Sequence, residues 1–314
     1  MEPVVNEGID GNRLFLPTPP LLGSRRLALE HWCDLAIPND AGIGNILMYT
    51  RVVEEVAMHA GHPLTLLTAP LKPAIGTIDD EIAYPLWLSN PFVNKIVNAD
   101  DIDEAIMKTI NSERDNLCQF GHMITNICVE YGVTPRVLRP SLFLSEDECK
   151  QALYSLAKLP RPILCIHPHG TSSPKKNHPW YEDEWIRLLH DLPTDISVIE
   201  VGLHTLEKKN LPTWRHPTTI RQMMALVWAS DLFLGFDSSV AHIATAFNKP
   251  SMVLWDPIRK IEIEERWQSG FGPAALSRWS YQQNRNLMLL GEQRGEIRRL
   301  AITWIKDTCR SMRS

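Results

Sequence analysis

The sequence lacks most of the features that assign a chain to a class at sight. No apolar run approaches the ~18–20 residues that a membrane span needs. The N-terminus carries Glu2, Glu7 and Asp10 and has no basic stretch before an apolar block, so it does not read as a secretory signal. The six cysteines (Cys33, Cys118, Cys128, Cys149, Cys165 and Cys309) include no C-x-x-C pair. That spacing argues against a zinc knuckle and a secreted disulfide framework, and leaves reduced thiols in a cytoplasmic protein as the expectation. Internal repeats and low-complexity tracts are missing as well. The net charge is only −5, but it is uneven: residues 1–158 carry 12 Lys/Arg against 21 Asp/Glu, a net −9, and the remainder is net +4. An acidic first half argues against nucleic acid or a highly phosphorylated partner on that side, whereas a mildly basic second half suits a small anionic ligand.

What is present is ordinary globular material, with 44% apolar and 22% charged residues. A chain of 314 residues exceeds one ordinary core, so two domains are expected: 1–158, with 1–30 as an irregular Pro- and Gly-rich arm, and 159–290, followed by a terminal helix over 291–314. In the first half, Trp32–Ile37 and Pro63–Thr68 read as strands and Lys95–Asn98 as a third. Between the first two lie turn residues 38–42 and a helix from Ile43, with Ile46, Leu47, Thr50, Val53, Val56 and Ala57 near one face. Another helix is expected within 111–131, and a charged one begins after Ser145, with Glu146 and Glu148 in its first turn. The second half alternates more clearly. Strands are expected at Ile163–His167, Ile196–Gly202, Asp231–Gly235 and Ser251–Trp255, and helices at Glu182–Leu192, Ile220–Ala229 and Val240–Phe247. Ile297, Leu300, Ala301, Trp304, Ile305 and Thr308 make one side of the terminal helix. Alternation of this kind implies parallel sheets with crossover helices. Two such sheets in tandem imply a cleft, with ligand-binding loops at the carboxyl ends of the strands.

Three strand-to-helix loops carry candidate chemistry. In the first, a strand runs into Gly235-Phe236-Asp237-Ser238-Ser239-Val240-Ala241-His242. Asp237 or Ser238 is placed to cap the helix, and the N–H groups of Ser239, Val240 and Ala241 would be its unpaired donors, an anion site by geometry and dipole. The bland reading is a plain capped helix. The second is the loop from His167 to Trp180, where Thr171, Ser172, Lys175 and Lys176 offer hydroxyls and point charges suited to a diphosphate. The bland reading there is a solvated loop, and its three histidines are not spaced as a metal set. The third, Asp40-Ala41-Gly42-Ile43-Gly44-Asn45, has two glycines that let backbone approach a ligand, a weak signal by itself.

Together these segments resemble glycosyltransferase family 9, the ADP-heptose heptosyltransferases of bacterial lipopolysaccharide assembly. The family's Asp-Ser/Thr-Gly/Ser-x-x-His pattern, a short helix, Gly-Lys-Pro and a strand is similar to Asp237–His242 followed by Asn248-Lys249-Pro250 and Ser251–Trp255. The family's phosphate loop is similar to Thr171–Trp180, and its Gly-x-Gly-Asp signature to Gly42–Asn45. The resemblance covers most of residues 32–257. It implies a GT-B arrangement: an acceptor-binding first domain, a donor-binding second domain, and a terminal helix that packs back on the first. It also implies inverting transfer with no metal and no cofactor, the nucleotide sugar being a co-substrate. The donor's diphosphate would be held by Ser238, Ser239, the helix N-terminus, and Lys175 or Lys176, with Asp237 on the donor sugar.

The chain departs from that family at two points. The family base is the Asp of Gly-x-Gly-Asp, and here the residue is Asn45, which accepts no proton at neutral pH. Asp40, in the same turn, is the first substitute, and Asp79 and Asp80 follow; each also reads as an exposed turn carboxylate. The first domain's acidity, in turn, disfavours a phosphorylated lipid core as acceptor and favours a protein, a neutral glycan or a small natural product. Some relatives that heptosylate proteins bind iron through a cysteine cluster, which the isolated cysteines here do not reproduce. The expected activity is transfer of a heptose-like sugar from an ADP-sugar to a hydroxyl acceptor. A donor-binding homologue without catalysis and, more weakly, a nucleotide-sugar epimerase remain as alternatives.

Overall fold

The computed structural model describes residues 5–7, 13–15, 33–39, 42–71, 83–117, 121–170, 182–202, 206, 213–215, 218–256, 278–289 and 294–313. They fall into two units, residues 1–70 with 90–141 and residues 71–89 with 142–314.

In the first unit a short antiparallel pair, β1 (Val5–Glu7) and β2 (Arg13–Phe15), lies in the arm that the sequence suggests is irregular. Three residues per strand are too few for alternation to register. The sheet proper is parallel, in the order β3 (Leu35–Ala36), β4 (Leu64–Thr68), β5 (Val93–Asn98). Helix α1 (Ile43–Ala60) connects β3 to β4 and ends on Gly61, whose φ of 78° is the left-handed conformation that glycine adopts without strain. The single helix expected within 111–131 is instead two, α2 (Glu104–Leu117) and α3 (Met123–Glu130). Gly121, at φ 68°, and the His122 side chain, which accepts from the Ile124 N–H, start the second one. Along α1, Arg51 pairs with Glu54 at 2.8 Å, and Arg136 bonds Glu54 and Glu55 at 3.0 and 2.9 Å. With Ser141 N–H donating to Thr50 Oγ1 at 2.9 Å, these contacts fasten residues 136–141 to the helix.

The second unit is built on six parallel strands: β6 (Ile163–His167), β7 (Ser197–Glu200), β8 (Thr213–Arg215), β9 (Leu232–Phe236), β10 (Ser251–Trp255) and β11 (Arg285–Met288), in the spatial order β8-β7-β6-β9-β10-β11. Counting from β6, that is the doubly wound order 3-2-1-4-5-6, whose winding reverses between β6 and β9. β6, β9 and β10 are buried along their whole length, and their Val/Ile/Leu/Phe runs are what covering both faces demands. β8 and β11 escape the sequence reading because three or four residues at sheet edges carry little apolar signal.

Residues 71–89 and 142–158 belong to this second unit, not to the first as the sequence suggests. Helix α4 (Glu146–Leu156) opens with a Ser145/Glu148 capping box and packs on α6 (Ile220–Ala229). Buried Arg221 of α6 holds Glu148 through two bonds, at 2.6 and 2.5 Å, and donates to the carbonyls of Pro85 and Phe143. One guanidinium thus gathers three chain segments.

The terminal helix α8 (Arg294–Arg313) is likewise corrected. Its seam is Ile297, Ala301, Ile305 and Cys309, all within the core of the second unit beside Trp185, Leu188 and Leu189 of α5 (Glu182–Asp191). Arg298 adds ion pairs to Glu184 at 2.6 Å and Asp191 at 3.2 Å. The seam advances by i+4, so Leu300 and Thr308, which the sequence places with it, are only half-buried. Among the described residues no helix is long and apolar enough to cross a membrane.

Candidate functional site

The carboxyl edge of the second sheet collects polar residues beside an apolar core. β6 delivers His167 and His169, β9 delivers Asp237 and Ser238, and β10 delivers Asp256. His167, Asp237 and Asp256 are all buried. β6 and β9 are the two strands between which the winding reverses, and there crossover helices leave in opposite directions and open space for a ligand.

The turn from β9 into helix α7 (Ser239–Ala246) is the centre of this edge. Asp237 N–H donates to Leu254 O at 3.0 Å, extending the ladder with β10 by one residue and fixing where the turn starts. Helix α7 (Ser239–Ala246) follows, with Ser238 at its N-cap position. The sequence predicts that Asp237 or Ser238 caps this helix. Ser238 stands at the N-cap but its side chain makes no cap bond, and its Oγ lies 3.0 Å from His167 Nδ1 across the switch point. Of the three N–H groups expected to be unpaired, Ala241 donates to Ser238 O at 3.1 Å. Ser239 and Val240, at the first two helical positions, have no intrahelical acceptor within reach. Ser238 and Ser239 remain partly exposed, so the turn is not sealed inside packed protein.

Electrostatics sharpen the picture. Burial, reinforced by neighbouring His169, pulls the His167 pKa down to about 3, so the ring is neutral at physiological pH. The loop behind it is made of close approaches. A Cβ on Gly202 (φ 119°) would come within 3.0 Å of the His167 ring, and one on Gly235 within 2.5 Å of Phe233 and 3.1 Å of His167 O. Gly202 lets the backbone pass against the imidazole, and Gly235 lets β9 pass the Phe233 ring and the His167 carbonyl. His242 Nδ1 lies 2.6 Å from the Tyr281 hydroxyl, and the two rings meet edge to face at 5.4 Å. Burial, and next the charge of Asp237, holds the Tyr281 phenol well above its usual pKa, so it stays protonated and able to donate. Asn284 Nδ2 donates to Thr245 Oγ1 at 2.8 Å, so residues 278–289 back α7 at two points. Tyr281 escapes the sequence reading because it arrives 39 positions after His242 with no local pattern to mark it. Glu200, at the end of β7, escapes for the same reason; its Oε1 accepts from the Leu206 N–H at 2.8 Å.

The other candidates divide simply. Thr171, Ser172, Lys175, Lys176, Asp40, Asp79 and Asp80 lie outside the described residues. In the first unit Gly42 is the N-cap residue of α1 in extended conformation, and a Cβ there would meet nothing within 4 Å, so the fold itself does not require the glycine. Gly44 and Asn45 are half-buried in the first turn, and Asn45 N–H donates to Gly42 O at 2.9 Å. Among the described residues no three His, Cys, Asp or Glu side chains gather as a metal set. Cys33, Cys128, Cys149, Cys165 and Cys309 are free thiols, and burial pushes Cys33 up to about 12 and raises the other four.

Residues 214–279 match the family model of glycosyltransferase family 9 (heptosyltransferase), a stretch that contains the β9–α7 turn. No curated protein matches the chain at a significant level by sequence. By structure the chain is similar to ADP-heptose lps heptosyltransferase II of E. coli, with TM-score 0.60 and 13% identity, over 89% of this chain and 99% of that one. It is also similar to a glycosyl transferase family 9 protein from Veillonella parvula (TM-score 0.55, 13% identity, 85% of this chain and 88% of that one). A third similar structure is E. coli heptosyltransferase WaaC with ADP (TM-score 0.54, 9% identity, 87% and 99%). At such identities the likeness establishes the fold, which is that of GT-B heptosyltransferases. The resemblance to family 9 rests on sequence within the second unit. The sequence match is to a glycosyltransferase family, and the structural likeness bears on the fold alone.

Proposed function

We propose that this protein transfers a heptose-like sugar from an ADP-sugar donor to a hydroxyl-bearing acceptor, with inversion and without a metal. The observation that carries the reading is the β9–α7 turn within the family 9 segment. Its serine hydroxyl is withheld from capping the helix, its first two amides lack intrahelical acceptors, and it stands at the winding reversal of a doubly wound sheet. WaaC was solved with ADP, and a diphosphate is the ligand that such amides suit.

In the proposed reaction the acceptor oxygen attacks the anomeric carbon from the face opposite the diphosphate. The bond from that carbon to the diphosphate oxygen breaks, and the acceptor's proton passes to a base. Charge growing on the departing ADP meets the Ser239 and Val240 amides, the Ser238 hydroxyl and the positive end of α7, joined by Lys175 or Lys176. Asp237 binds donor sugar hydroxyls. Asp40 is the base, with Asp79 and Asp80 as substitutes; Gly42 and Gly44 admit the acceptor. A neutral glycan, a protein side chain or a small natural product suits the acidic first half better than a phosphorylated lipid.

A second reading has its own support. Asn45 holds the position of the family base, which is what a donor-binding homologue without catalysis would show. Incubation with ADP-heptose and a panel of acceptors separates the two. Release of ADP, lowered at least about a hundredfold in Asp40→Asn with donor affinity unchanged, supports the transferase with Asp40 as base. Equal turnover in Asp40→Asn and the parent removes Asp40 from the mechanism. Tight binding without turnover or hydrolysis establishes the binding protein.

A further inference from the structure

We infer that His167 is a positioning residue for the anion site: its imidazole carries the proton on Nδ1, donates to Ser238 Oγ, and leaves the Ser238 hydroxyl proton to point at a ligand phosphate oxygen. This rests on the donor-site reading above.

Four observations lead there. Ser238 occupies the N-cap position with an extended backbone (φ −164°, ψ 171°) yet makes no cap bond, so its hydroxyl is directed by something other than its own helix. That something is His167 Nδ1, 3.0 Å away on the neighbouring strand's end. The ring is confined: it is buried, and Gly202 lies so close that even a methyl group there would stand 3.0 Å from Cδ2 and Nε2. Its burial keeps it uncharged, so it owns one N–H and one lone pair.

Two arrangements of the pair then exist. If Nδ1 is the acceptor, the serine proton is spent on the ring and only serine lone pairs face the ligand, which repel a phosphate oxygen. If Nδ1–H is the donor, the serine oxygen is satisfied by the ring and its proton serves the phosphate, which only accepts. An anionic ligand selects the second arrangement. Gly202, just past β7, is explained by the same device, because a side chain there would displace the ring, and Gly235 on β9 leaves room for the His167 carbonyl at the strand end that bears it.

The test uses the full chain and ADP as probe. Ser238→Ala is expected to weaken ADP about tenfold or more, the loss of one hydrogen bond to a charged group. His167→Ala should lose a similar factor, and the double variant no more than either alone. His167→Asn, whose carboxamide nitrogen can stand near the place of Nδ1, should recover affinity to within about threefold of the parent. Nitrogen NMR of the histidine-labelled parent reads the tautomer directly and does not depend on any variant folding; the Nδ1–H form is expected in the ADP complex. Additive losses in the double variant, or the Nε2–H form with ADP bound, overturn the inference while the donor site stands. A parent chain that does not bind ADP at millimolar concentration overturns the donor-site reading and this inference with it.

Discussion

Replacing Arg221 by leucine removes a guanidinium that is 4% exposed and that joins Glu148, Pro85 O and Phe143 O at 2.5–3.0 Å. Deleting one partner of a buried, hydrogen-bonded ion pair costs about 3–5 kcal/mol, chiefly because the other charge and its acceptors are left behind. Glu148 keeps partial solvent access and the Ser145 N–H at 2.7 Å, which places the expectation at the lower end, about 3 kcal/mol. For a unit of about 190 residues this corresponds to a fall in Tm of roughly 6–12 °C, read by calorimetry and by urea unfolding. Burial pushes the Glu148 carboxyl up, but hydrogen bonds from Arg221 and Ser145 more than reverse this, so its folded pKa lies below the ordinary value. The pair's contribution is therefore complete above the unfolded pKa and is lost as pH falls through the folded one. The deficit of Arg221→Leu should accordingly narrow in acid. A deficit under about 1 kcal/mol at pH 7, or one unchanged below pH 4, would refute the claim that this guanidinium holds the three segments together.

Asp237→Ala should weaken ADP-heptose by about tenfold or more while changing ADP affinity little, as titration calorimetry with both ligands would reveal; equal losses would move Asp237 from the sugar to the nucleotide. Gly235→Ala should cost about 1–3 kcal/mol in urea unfolding, since its methyl must displace the Phe233 ring or the His167 carbonyl; unchanged stability would mean that β9 yields freely. His167 bears on acid stability. Below pH 6.5 the unfolded chain protonates this residue while the folded one resists until about 3, so stability falls as pH drops, by up to about 1.4 kcal/mol per pH unit. His167→Asn should therefore lose about 2 kcal/mol less than the parent between pH 7 and pH 5.

Much of the second unit is legible without coordinates. Buried parallel strands must be nearly continuous apolar runs, so Ile163–His167, Leu232–Phe236 and Ser251–Trp255 announce themselves, and Ser145 with Glu148 marks a helix start by chemistry that acts across three residues. The β9–α7 turn is legible for the same reason, since strand, turn and helix signals are consecutive there. Other features depend on partners far along the chain. The allocation of residues 71–89 and 142–158 follows from Arg221, 133–136 positions away from Leu88 and Pro85. The docking of the C-terminal helix follows from an apolar seam that fits either unit equally well as a pattern and meets its core at Trp185 and Leu188.

The amino-acid order alone determines that this chain alternates strand and helix, that its second half pairs strands in parallel, and that Asp237–His242 forms a strand-to-helix turn, because each depends on periodicity and capping within a dozen residues. Only the tertiary structure decided what that turn does with its side chains. Ser238 bonds the ring of His167, 71 positions away, and leaves its own helix uncapped because β6 and β9 end side by side, and His242 meets Tyr281, 39 positions further on. Local chemistry offers a serine several partners; which one it takes is set by what the fold brings within 3 Å.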